Sequence, residues 1–357
     1  MLRLGPHTAL HMHQPVEPDP LVVAFLDVGK GDAIVVLVPG ESSAIVVDCP
    51  SGASETVLAY LADAHITIIK WVIITHSDQD HAGDVPKLIA DFRTAYGGSV
   101  ERLSYLNDRV IDPNPEKQAK HKHLLANMAL RLRDGISADP DPYADRSMSF
   151  GGGLEVTILH PAKADLTDML AVGGGINDTS VVMRLDYRGK SVLLTGDAQG
   201  RAWRWMRERG VNLKVDVLKF PHHGASFTTP VHVSDVLDLV DPRYVVISVG
   251  TRNIDGHPSA ETLRLLRERR SLVRFVCTQA TDRCHPAGVM SRAAEARDLV
   301  PRENRGRAYN RRTLACPCAG TVIIKISSDI LIEPTLDQHD RVINLFSHPG
   351  CRGATSA

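Results

Sequence analysis

The sequence predicts a layered α/β fold in which several strands end at one polar crevice. Apolar runs rich in Val, Ile and Leu alternate with segments of helical periodicity along most of the 357 residues. A polar or charged side chain follows five of these runs immediately. Strands of one sheet layer that release Asp or His at the same edge converge on a single site, and core packing alone does not require this repetition. We therefore expect a functional site at that edge.

The composition limits the classes of protein that this chain could form. A hydrophobic fraction of 43% gives one large domain, or two ordinary ones, a substantial core. The 41 basic and 42 acidic residues leave no strongly basic overall surface, so any contact with nucleic acid has to be local. No apolar run approaches the roughly 20 residues that span a bilayer, and the N-terminus lacks a signal-peptide core, which predicts a cytoplasmic location. The six cysteines are then expected as free or metal-bound thiols.

The first part of the chain predicts a leader followed by a hairpin and a strand–helix unit. Residues 1–20 contain four Pro and three His without periodicity, which indicates a disordered leader. From Leu21, two β-rich runs are separated by DVGKGDA, a sequence typical of a hairpin. Residues 44–52 predict a short strand that ends at Asp48, and residues 54–64 predict a helix.

The segment WVIITHSDQDHAGD holds the densest group of candidate metal ligands. The apolar run that ends in Thr75 predicts a buried strand, and a loop entering a helix follows it. This loop carries two imidazoles and two carboxylates, which suit zinc, manganese or ferrous iron: His76, Asp78, Asp80 and His81. If further residues also coordinate, the number of ligands exceeds the four that one tetrahedral zinc needs, which points to two metals. The alternative is a solvated helix N-terminus, where Asp is favoured by the exposed backbone N–H groups.

Residues 97–150 predict a partly helical insertion. Within it, ERLSYLN resembles a strand, and a helix is predicted over Lys117–Arg133. That helix carries a run of basic side chains, namely Lys117, Lys120, His121, Lys122, His123, Arg131 and Arg133. Such a run is either a solvated helix face or a lid that contacts the backbone of a substrate.

The second half of the chain repeats the strand-then-polar pattern. A glycine-rich loop leads to the strand SVVMRLDY, and the turn RGK leads to SVLLTGD, which ends at Asp197. Two later strands deliver further polar side chains to loops, namely Lys219, His222 and His223, and then Asn253 and His257.

A cysteine-rich segment, residues 279–319, interrupts the last predicted strands. Paired thiols flank it, which predicts a structural zinc that closes a small insert: Cys277, Cys284, Cys316 and Cys318. His285 is an alternative ligand, and a disulfide or free buried thiols are alternative states. The same insert is locally basic, because eight Arg between Arg283 and Arg312 face three acidic residues. It is either a binding surface for a phosphate backbone or a soluble charged insert. Residues 333–357 are expected to form a tail.

Seven segments, taken together and in order, resemble the metallo-β-lactamase-fold hydrolases. They are FLDVGKGDA, VVDCPSG, THSDQDHAGD, NDTSVVMRL, LLTGD, LKFPHHGAS and SVGTRNIDGHP. Within this superfamily the chain resembles the soluble hydrolase domain of ComEC competence proteins and its free-standing relatives, from about residue 22 to 278 and again over 320–326. The membrane channel of ComEC proteins is absent from this sequence. The resemblance implies an αββα sandwich over residues 21–332, with the zinc-closed C-terminal insert described above and a dinuclear metal site along one edge.

The resemblance also implies roles for individual residues. His76 and Asp78 would hold the first of two divalent ions, zinc or manganese. The second ion would be held by Asp80, His81 and His257, and Asp197 would bridge both. Four residues would support these ligands from behind, namely Asp48, Asn177, Ser180 and Asn253. The chain departs from the superfamily pattern in three places: Asp78 stands where His is usual, a third His before Asp197 is missing, and Lys30 stands where Gln is common.

The chemistry expected of such a site is hydrolysis by metal-activated hydroxide. Asp80 would orient the hydroxide, while Lys219 with His222 or His223 would stabilise charge on a phosphodiester or protonate the leaving group. Alternatively, Lys219 is an ordinary strand-end lysine and the two His support metal ligands. The expected function is a phosphodiesterase or nuclease that acts on nucleic acid. Alternatives are a hydrolase of small phosphodiesters, esters or lactones, and a non-catalytic metal-stabilised sensor or partner subunit.

Overall fold

A computed structural model describes residues 19–105, 115–132, 135–140, 142–172, 175–252, 254–269, 271, 273–305 and 315–348. Five sequence predictions therefore lie wholly or partly outside the described residues. They are the disordered leader over 1–18, Arg133 at the end of the predicted basic helix, the position of Asn253, three side chains of the basic insert (Arg307, Arg311 and Arg312), and the end of the tail over 349–357.

The first half of the chain builds one sheet and the helices that cover it. In chain order the elements are β1 (Leu21–Phe25), β2 (Ile34–Leu37), β3 (Ser43–Val47), α1 (Ser54–Asp63), β4 (Ile68–Ile73), α2 (Gln79–Ala82), α3 (Val85–Thr94), β5 (Ser99–Val100), β6 (Arg102–Tyr105), α4 (Pro115–Leu132) and β7 (Ser137–Pro140). The predicted hairpin is present, since β1 and β2 pair antiparallel. Strands β3, β4 and β6 then run parallel, so their carboxyl ends share one edge.

The remaining elements build a second sheet and complete the first. They are β8 (Arg146–Phe150), β9 (Leu154–His160), α5 (Lys163–Val172), β10 (Val182–Tyr187), β11 (Lys190–Leu194), α6 (Gly200–Glu208), β12 (Val217–Lys219), α7 (Val233–Val240), β13 (Tyr244–Ile247), α8 (Ala260–Glu268), β14 (Arg274–Cys277), α9 (Ala293–Leu299), β15 (Val322–Ile326), β16 (Ile330–Glu333) and α10 (Leu336–Ile343).

The strand order divides these elements into two mixed sheets. The first sheet has the order β16-β15-β1-β2-β3-β4-β6-β7, with β5 also paired to β4, and the second has the order β14-β13-β12-β11-β10-β9-β8. In the second sheet β11, β12, β13 and β14 are parallel, so their carboxyl ends also share one edge.

Three apolar layers hold the two sheets and their helices together. The layer between the sheets joins Phe25 and Trp71 of the first sheet to Leu185 and Val217 of the second. A second layer packs α1, α3 and α4 on the outer face of the first sheet. A third packs α6, α7 and α8 on the outer face of the second sheet, where Trp203 is fully buried. This order of layers confirms the helix–sheet–sheet–helix sandwich.

Three details of the sequence prediction need correction. The strands that end in polar residues belong to two sheets rather than to one sheet layer, since β3 and β4 lie in the first and β11, β12 and β13 in the second. Residues 97–150 are not a separate insert, because β5, β6 and β7 extend the first sheet and β8 forms an edge of the second. The predicted tail contains α10, whose Val342 and Ile343 are buried against the second sheet's outer layer.

Among the described helices, none combines the length and the apolar character that a bilayer crossing requires.

Candidate metal centre

The loop after β4 is fixed by the end of the neighbouring strand β3. The carboxylate of Asp48 accepts hydrogen bonds from the Thr75 backbone N–H at 2.8 Å and from the Thr75 hydroxyl at 2.7 Å. Backbone N–H groups of Cys49 and Ser51 donate to the carbonyls of His81 and Gln79. These contacts hold the first turn of α2 against the end of β3, which places His76 and His81 side by side with ring centroids 4.2 Å apart.

The carboxylate of Asp48 orients the ring of His81 within the cluster. Its Nδ1 lies 2.8 Å from Asp48 Oδ2, and both side chains are fully buried. When Nδ1–H donates to this carboxylate, Nε2 keeps its lone pair, as in the carboxylate–histidine–metal arrangement. That Nε2 lies 3.2 Å from Asp197 Oδ1. Asp48 thus lies behind His81 relative to Asp197.

Asp197 lies at the centre of the imidazole cluster. It follows β11, and its backbone N–H donates to the Ser180 hydroxyl at 3.1 Å. Its carboxylate oxygens lie 3.2–3.9 Å from the Nε2 atoms of four rings, those of His76, His81, His222 and His223. Two ligands that are each about 2 Å from one cation have separations in this range. The arrangement is therefore suited to a carboxylate shared between metal ions.

His223 is oriented in the same way as His81, but by a backbone carbonyl. Its Nδ1 donates to Ser248 O at 3.0 Å, which leaves the Nε2 lone pair facing the cluster. Nε2 lies 3.3 Å from His81 Nε2 and 3.6 Å from Asp197 Oδ2. The ring is only 3% exposed. His223 thus presents Nε2 to the cluster as a potential ligand atom.

His222 has the opposite arrangement of its ring nitrogens. Gln199 Nε2 lies 2.7 Å from His222 Nδ1, and with the amide donating, the neutral ring carries its proton on Nε2. Nε2 lies 3.7 Å from Asp197 Oδ2 and 3.5 Å from Asn177 Nδ2. The side chain is 21% exposed. It therefore offers an N–H at the open side of the cluster.

Three of these side chains depend on left-handed backbone conformations at residues other than glycine. Asp48, His222 and His223 have φ values of 62°, 47° and 53°. Such conformations are uncommon outside glycine and occur preferentially at functional sites, where the surrounding contacts fix them.

Asp32 belongs to the site and is missing from the sequence prediction. It is 1% exposed, and its carboxylate lies 3.7 Å from His81 Nδ1 and 3.8 Å from His223 Nδ1. It also forms a buried ion pair with Lys219. The GKGD sequence of the first hairpin indicates a turn, and only the folded chain shows that this turn delivers a carboxylate beneath the metal ligands.

Lys219 lies beneath the ligands, not above them. Its side chain is fully buried, and Nζ donates to Gly196 O at 2.9 Å in addition to its ion pair with Asp32. The distance from Nζ to Asp197 Oδ1 is 3.8 Å. A buried ammonium that is engaged by protein oxygens does not reach a substrate, so the predicted contact of Lys219 with a phosphate needs correction. Its position supports Asp32 and the loop of Asp197 instead.

The remaining predicted site residues lie at different distances from the cluster. Asp78 Oδ2 is 3.9 Å from His76 Nε2, and Ser180 Oγ is 3.5 Å from His76 Nδ1. Asp80 is grouped with His81 and His223 in a set whose ligand atoms all lie within 4.8 Å of one another. His257 belongs to none of the four such sets found among the described residues, and its ring centroid is 5.2 Å from that of His222.

The buried charges of the cluster shift one another's pKa values. Burial opposes ionisation of Asp197, but the neighbouring His223 and His81 outweigh it and hold the pKa of Asp197 well below its usual value. Burial likewise opposes protonation of His81, yet Asp197 and Asp48 raise its pKa well above the usual value. For His76, burial and the nearby His81 together lower the pKa well below 6.5. Burial, with the adjacent His222 and His223, lowers the pKa of His257 to about 4.

The donor set fits divalent metal ions. His76 Nε2 is buried and makes no hydrogen bond within the described part of the chain, although it lies 3.9 Å from oxygens of both Asp78 and Asp197. A buried ring nitrogen without a hydrogen bond is costly unless another partner engages it. Imidazole nitrogens and carboxylate oxygens match zinc or manganese. Metal binding would also displace the proton that His81 shares with Asp197.

A buried polar contact anchors the hairpin loop that carries Asp32. Asp27 is 3% exposed, its Oδ1 accepts a hydrogen bond from Gln279 Nε2 at 2.6 Å, and its backbone N–H donates to the Thr321 hydroxyl. Gln279 Oε1 in turn accepts from the Thr251 backbone N–H. The loop is thereby tied to both the cysteine-rich segment and the loop after β13.

The carboxyl of Asp27 is expected to make stability depend on pH. Burial raises its pKa from 3.8 to about 7, against the hydrogen bond from Gln279, which lowers it. Between these two values the folded state keeps a proton that the unfolded state releases, so this group's contribution to the free energy of unfolding falls as the pH rises towards 7 and is constant above it. The loss is on the order of 4 kcal/mol.

Asp27→Asn should flatten this slope, which urea denaturation of the metal-free protein at pH 5, 6, 7 and 8 can measure. The control is Asp91→Asn, because that carboxylate is partly exposed on α3 and paired with Lys87. An unchanged slope in Asp27→Asn would contradict the assignment.

The four cysteines predicted to bind zinc lie in one apolar cluster. Cys277, Cys284, Cys316 and Cys318 are buried and not joined by disulfides. A fifth group was missed: His339 of α10 is 3% exposed, and its Nε2 lies 3.1 Å from Cys318 Sγ. Within the described residues, none of the sets of three ligand atoms within 4.8 Å contains a cysteine. His339 is thus a further candidate ligand beside Cys318, and the structural zinc stays a prediction.

The helix α4 borders the metal centre. A small cavity beside His76 is lined by Ser77, by His121, Leu124 and Met128 of α4, and by Ile176. Leu124 and Met128 are buried against the first sheet's outer layer. The apolar face of this helix is therefore anchored next to the candidate site, whereas Lys120, Lys122 and His123 are exposed, as a solvated face requires. A role as a lid stays a prediction.

Comparisons with known proteins agree with this architecture. The chain is 25% identical to ComE operon protein 3 of Bacillus subtilis over 264 residues, which are 69% of this chain and 30% of that protein. It is 27% identical to Recombination protein 2 of Haemophilus influenzae over 256 residues, 70% of this chain and 27% of that protein. The chain thus spans about three tenths of the length of these curated relatives. Both matches confirm the resemblance to ComEC-like proteins.

Solved structures and a family model were also matched. Unliganded yeast PDE1 is 12% identical, with a TM-score of 0.41, over 72% of this chain and 97% of that chain. A metallo-beta-lactamase from Staphylococcus aureus is 10% identical, with a TM-score of 0.31, over 72% of this chain and 55% of that chain. The model of the metallo-beta-lactamase superfamily matches residues 26–226, more than half of the sequence, and these residues include the loop of the first hairpin, the His76–His81 loop, Asp197 and His223. The chain therefore belongs to the metallo-beta-lactamase superfamily.

Proposed function

We propose that this protein is a hydrolase with two divalent metal ions that cleaves phosphodiester bonds, with nucleic acid as the substrate. The central observation is the carboxylate of Asp197, which lies between the Nε2 atoms of four imidazoles at 3.2–3.9 Å. A carboxylate in that position can serve two cations at once. Two adjacent cations, when bound, lower the pKa of water and neutralise charge on a phosphoryl group.

The ligands divide into two groups around Asp197. We assign His76 and Asp78 to the first metal, and Asp80, His81 and His223 to the second. His223 takes the place that the resemblance gives to His257, because the hydrogen bond to Ser248 O leaves its Nε2 lone pair towards His81 and Asp197. Asp32, Asp48 and Lys219 orient these ligands from the buried side.

The open side of the cluster carries the groups that would act on a substrate. His222 Nε2–H would donate a hydrogen bond to the leaving-group oxygen and so stabilise the negative charge that develops there, while the proton that this oxygen takes up comes from water. Gln199 holds the ring in the required tautomer. Asn177, 3.5 Å from His222 Nε2, lies where an amide can contact a phosphate oxygen.

The basic segment after β14 is the part of the chain that supports nucleic acid as the substrate. Arg283 Nε donates to Gly256 O at 3.2 Å, beside His257, so this segment contacts the loop that borders the site. A local excess of Arg near a metal centre favours a polyanionic backbone over a neutral ester. The predicted structural zinc at the cysteines of this segment stays a prediction, and a zinc ion per chain that survives substitution of the Asp197 site would support it.

The test is a substrate panel with metal-free, zinc-loaded and manganese-loaded protein. We expect cleavage of single-stranded DNA, double-stranded DNA or RNA. Chelator should abolish this activity, and added metal should restore it. The same panel includes a cyclic dinucleotide, a small phosphodiester, an ester and a lactone, and Asp80→Ala is the inactive reference. Metal-loaded protein that cleaves only the ester or lactone, or nothing, would overturn the proposal.

A further inference from the structure

Lys30 lies in a loop whose backbone is clamped on two sides. On one side, the Asp32 N–H donates to Asp80 O at 3.1 Å, and a Cβ atom on Gly31 would collide with the same carbonyl. On the other side, a Cβ atom on Gly250 would lie 2.7 Å from the Lys30 backbone nitrogen. Only glycine permits this approach at both positions, and Gly31 also has a φ of 111°. The backbone of Lys30 is thus fixed relative to the metal-binding loop.

The side chain of Lys30, in contrast to its backbone, is open to solvent. It is 47% exposed, and its Nζ lies 2.8 Å from Asp255 Oδ2 and 3.5 Å from Asp80 Oδ2. Asp255 is itself 40% exposed. Of the two lysines whose contacts with site carboxylates are described above, Lys219 is fully buried and engaged by protein oxygens, whereas Lys30 stands at the rim beside Asp80.

We propose that Lys30 is a substrate-binding residue that holds a non-bridging oxygen of the phosphodiester, and that Asp255 holds it in the absence of substrate. The inference rests on the proposed phosphodiester hydrolysis. An ammonium on a flexible stem binds phosphate as a compact point charge. An ion pair between two partly exposed side chains contributes little, so exchanging Asp255 for a phosphate requires little energy. Lys30 would thus supply the positive charge at the phosphodiester that the sequence analysis expects from Lys219.

A purely electrostatic role for Lys30 makes a different prediction. If Lys30 influences phosphate only through its charge, its removal weakens phosphate binding, removal of Asp255 strengthens it, and the two effects add in the double variant. If Lys30 binds phosphate directly and Asp255 competes for it, the effects do not add, because the effect of removing Asp255 disappears when Lys30 is absent.

The experiment compares Lys30→Met, Asp255→Asn, the double variant and the control Lys87→Met in the manganese-loaded full chain. Lys87 is a suitable control because it is 51% exposed and pairs with Asp91 on α3. Affinity for inorganic phosphate is measured by calorimetry, KM and kcat are measured on DNA and on a small phosphodiester, and metal content is measured in parallel.

We expect Lys30→Met to weaken phosphate binding and raise KM about tenfold with metal content unchanged. Asp255→Asn should strengthen phosphate binding about threefold, but only when Lys30 is present. Phosphate affinity within twofold of wild type in Lys30→Met would overturn the inference, as would an effect of Asp255→Asn that is as large in the Lys30→Met background as in wild type. Absence of phosphodiester cleavage by wild type would overturn the proposed function alone, because phosphate binding tests Lys30 without turnover.

Discussion

Asp197→Asn is expected to lower the rate of phosphodiester cleavage by at least about 1,000-fold, which corresponds to about 4 kcal/mol of transition-state stabilisation. The carboxylate contacts four imidazoles and is buried, so an amide in its place removes the negative charge from the centre of the site. The amide also brings two N–H groups that face ring nitrogens or metal ions. We therefore expect metal content to fall together with activity.

Activity and metal content separate this effect from a general loss of structure. Metal per chain is measured after dialysis, kcat/KM on DNA, and the free energy of unfolding by urea denaturation. Asp186→Asn is the matched control, because Asp186 lies on β10 of the same sheet with its side chain 42% exposed beside Arg184. Asp197→Asn protein that retains full metal content and a rate within tenfold of wild type would show that Asp197 is not the shared ligand.

The sequence could predict the part of the site whose residues are close together in the chain. His76, Asp78, Asp80 and His81 are close in the chain and follow one strand, so their proximity in space follows from the strand-to-helix turn. Asp197 could be predicted because it follows a parallel strand of the second sheet at the same edge.

The parts that could not be predicted depend on contacts between distant segments. Asp32 lies in a predicted turn, and its role follows only from its contacts with Lys219 of β12, with His223 of the next loop and with His81 of α2. The roles of His222, His223 and His257 likewise could not be assigned from the sequence. Contacts with distant residues, Ser248 O for His223 and Gln199 for His222, decide which ring nitrogen carries the proton.

One missed element did have a local signal. The helix α10 begins with a capping box in which the Thr335 hydroxyl accepts from the Gln338 N–H, while the Gln338 side chain accepts from the Thr335 N–H. This pattern precedes an amphipathic run that buries His339, Val342 and Ile343. The capping box and this run together predict a helix in a segment whose composition alone predicts a tail.

Lys219→Met is expected to destabilise the metal-free protein by about 3–5 kcal/mol, because it leaves the buried carboxylate of Asp32 without its cation. Asp32 is 1% exposed and Lys219 is fully buried, so water cannot replace the lost partner. The variant also removes the hydrogen bond from Nζ to Gly196 O, next to Asp197. Metal affinity should therefore fall along with stability.

The double variant Asp32→Asn/Lys219→Met distinguishes a buried charge pair from the loss of a bulky side chain. Removing both charges should restore most of the lost free energy of unfolding, since a neutral pair of similar volume is close to neutral in cost or even stabilising. The measurement is urea denaturation in chelator, in which stability does not depend on metal binding. If the double variant is no more stable than Lys219→Met alone, or if Lys219→Met is as stable as wild type, the ion pair does not hold this side of the site together.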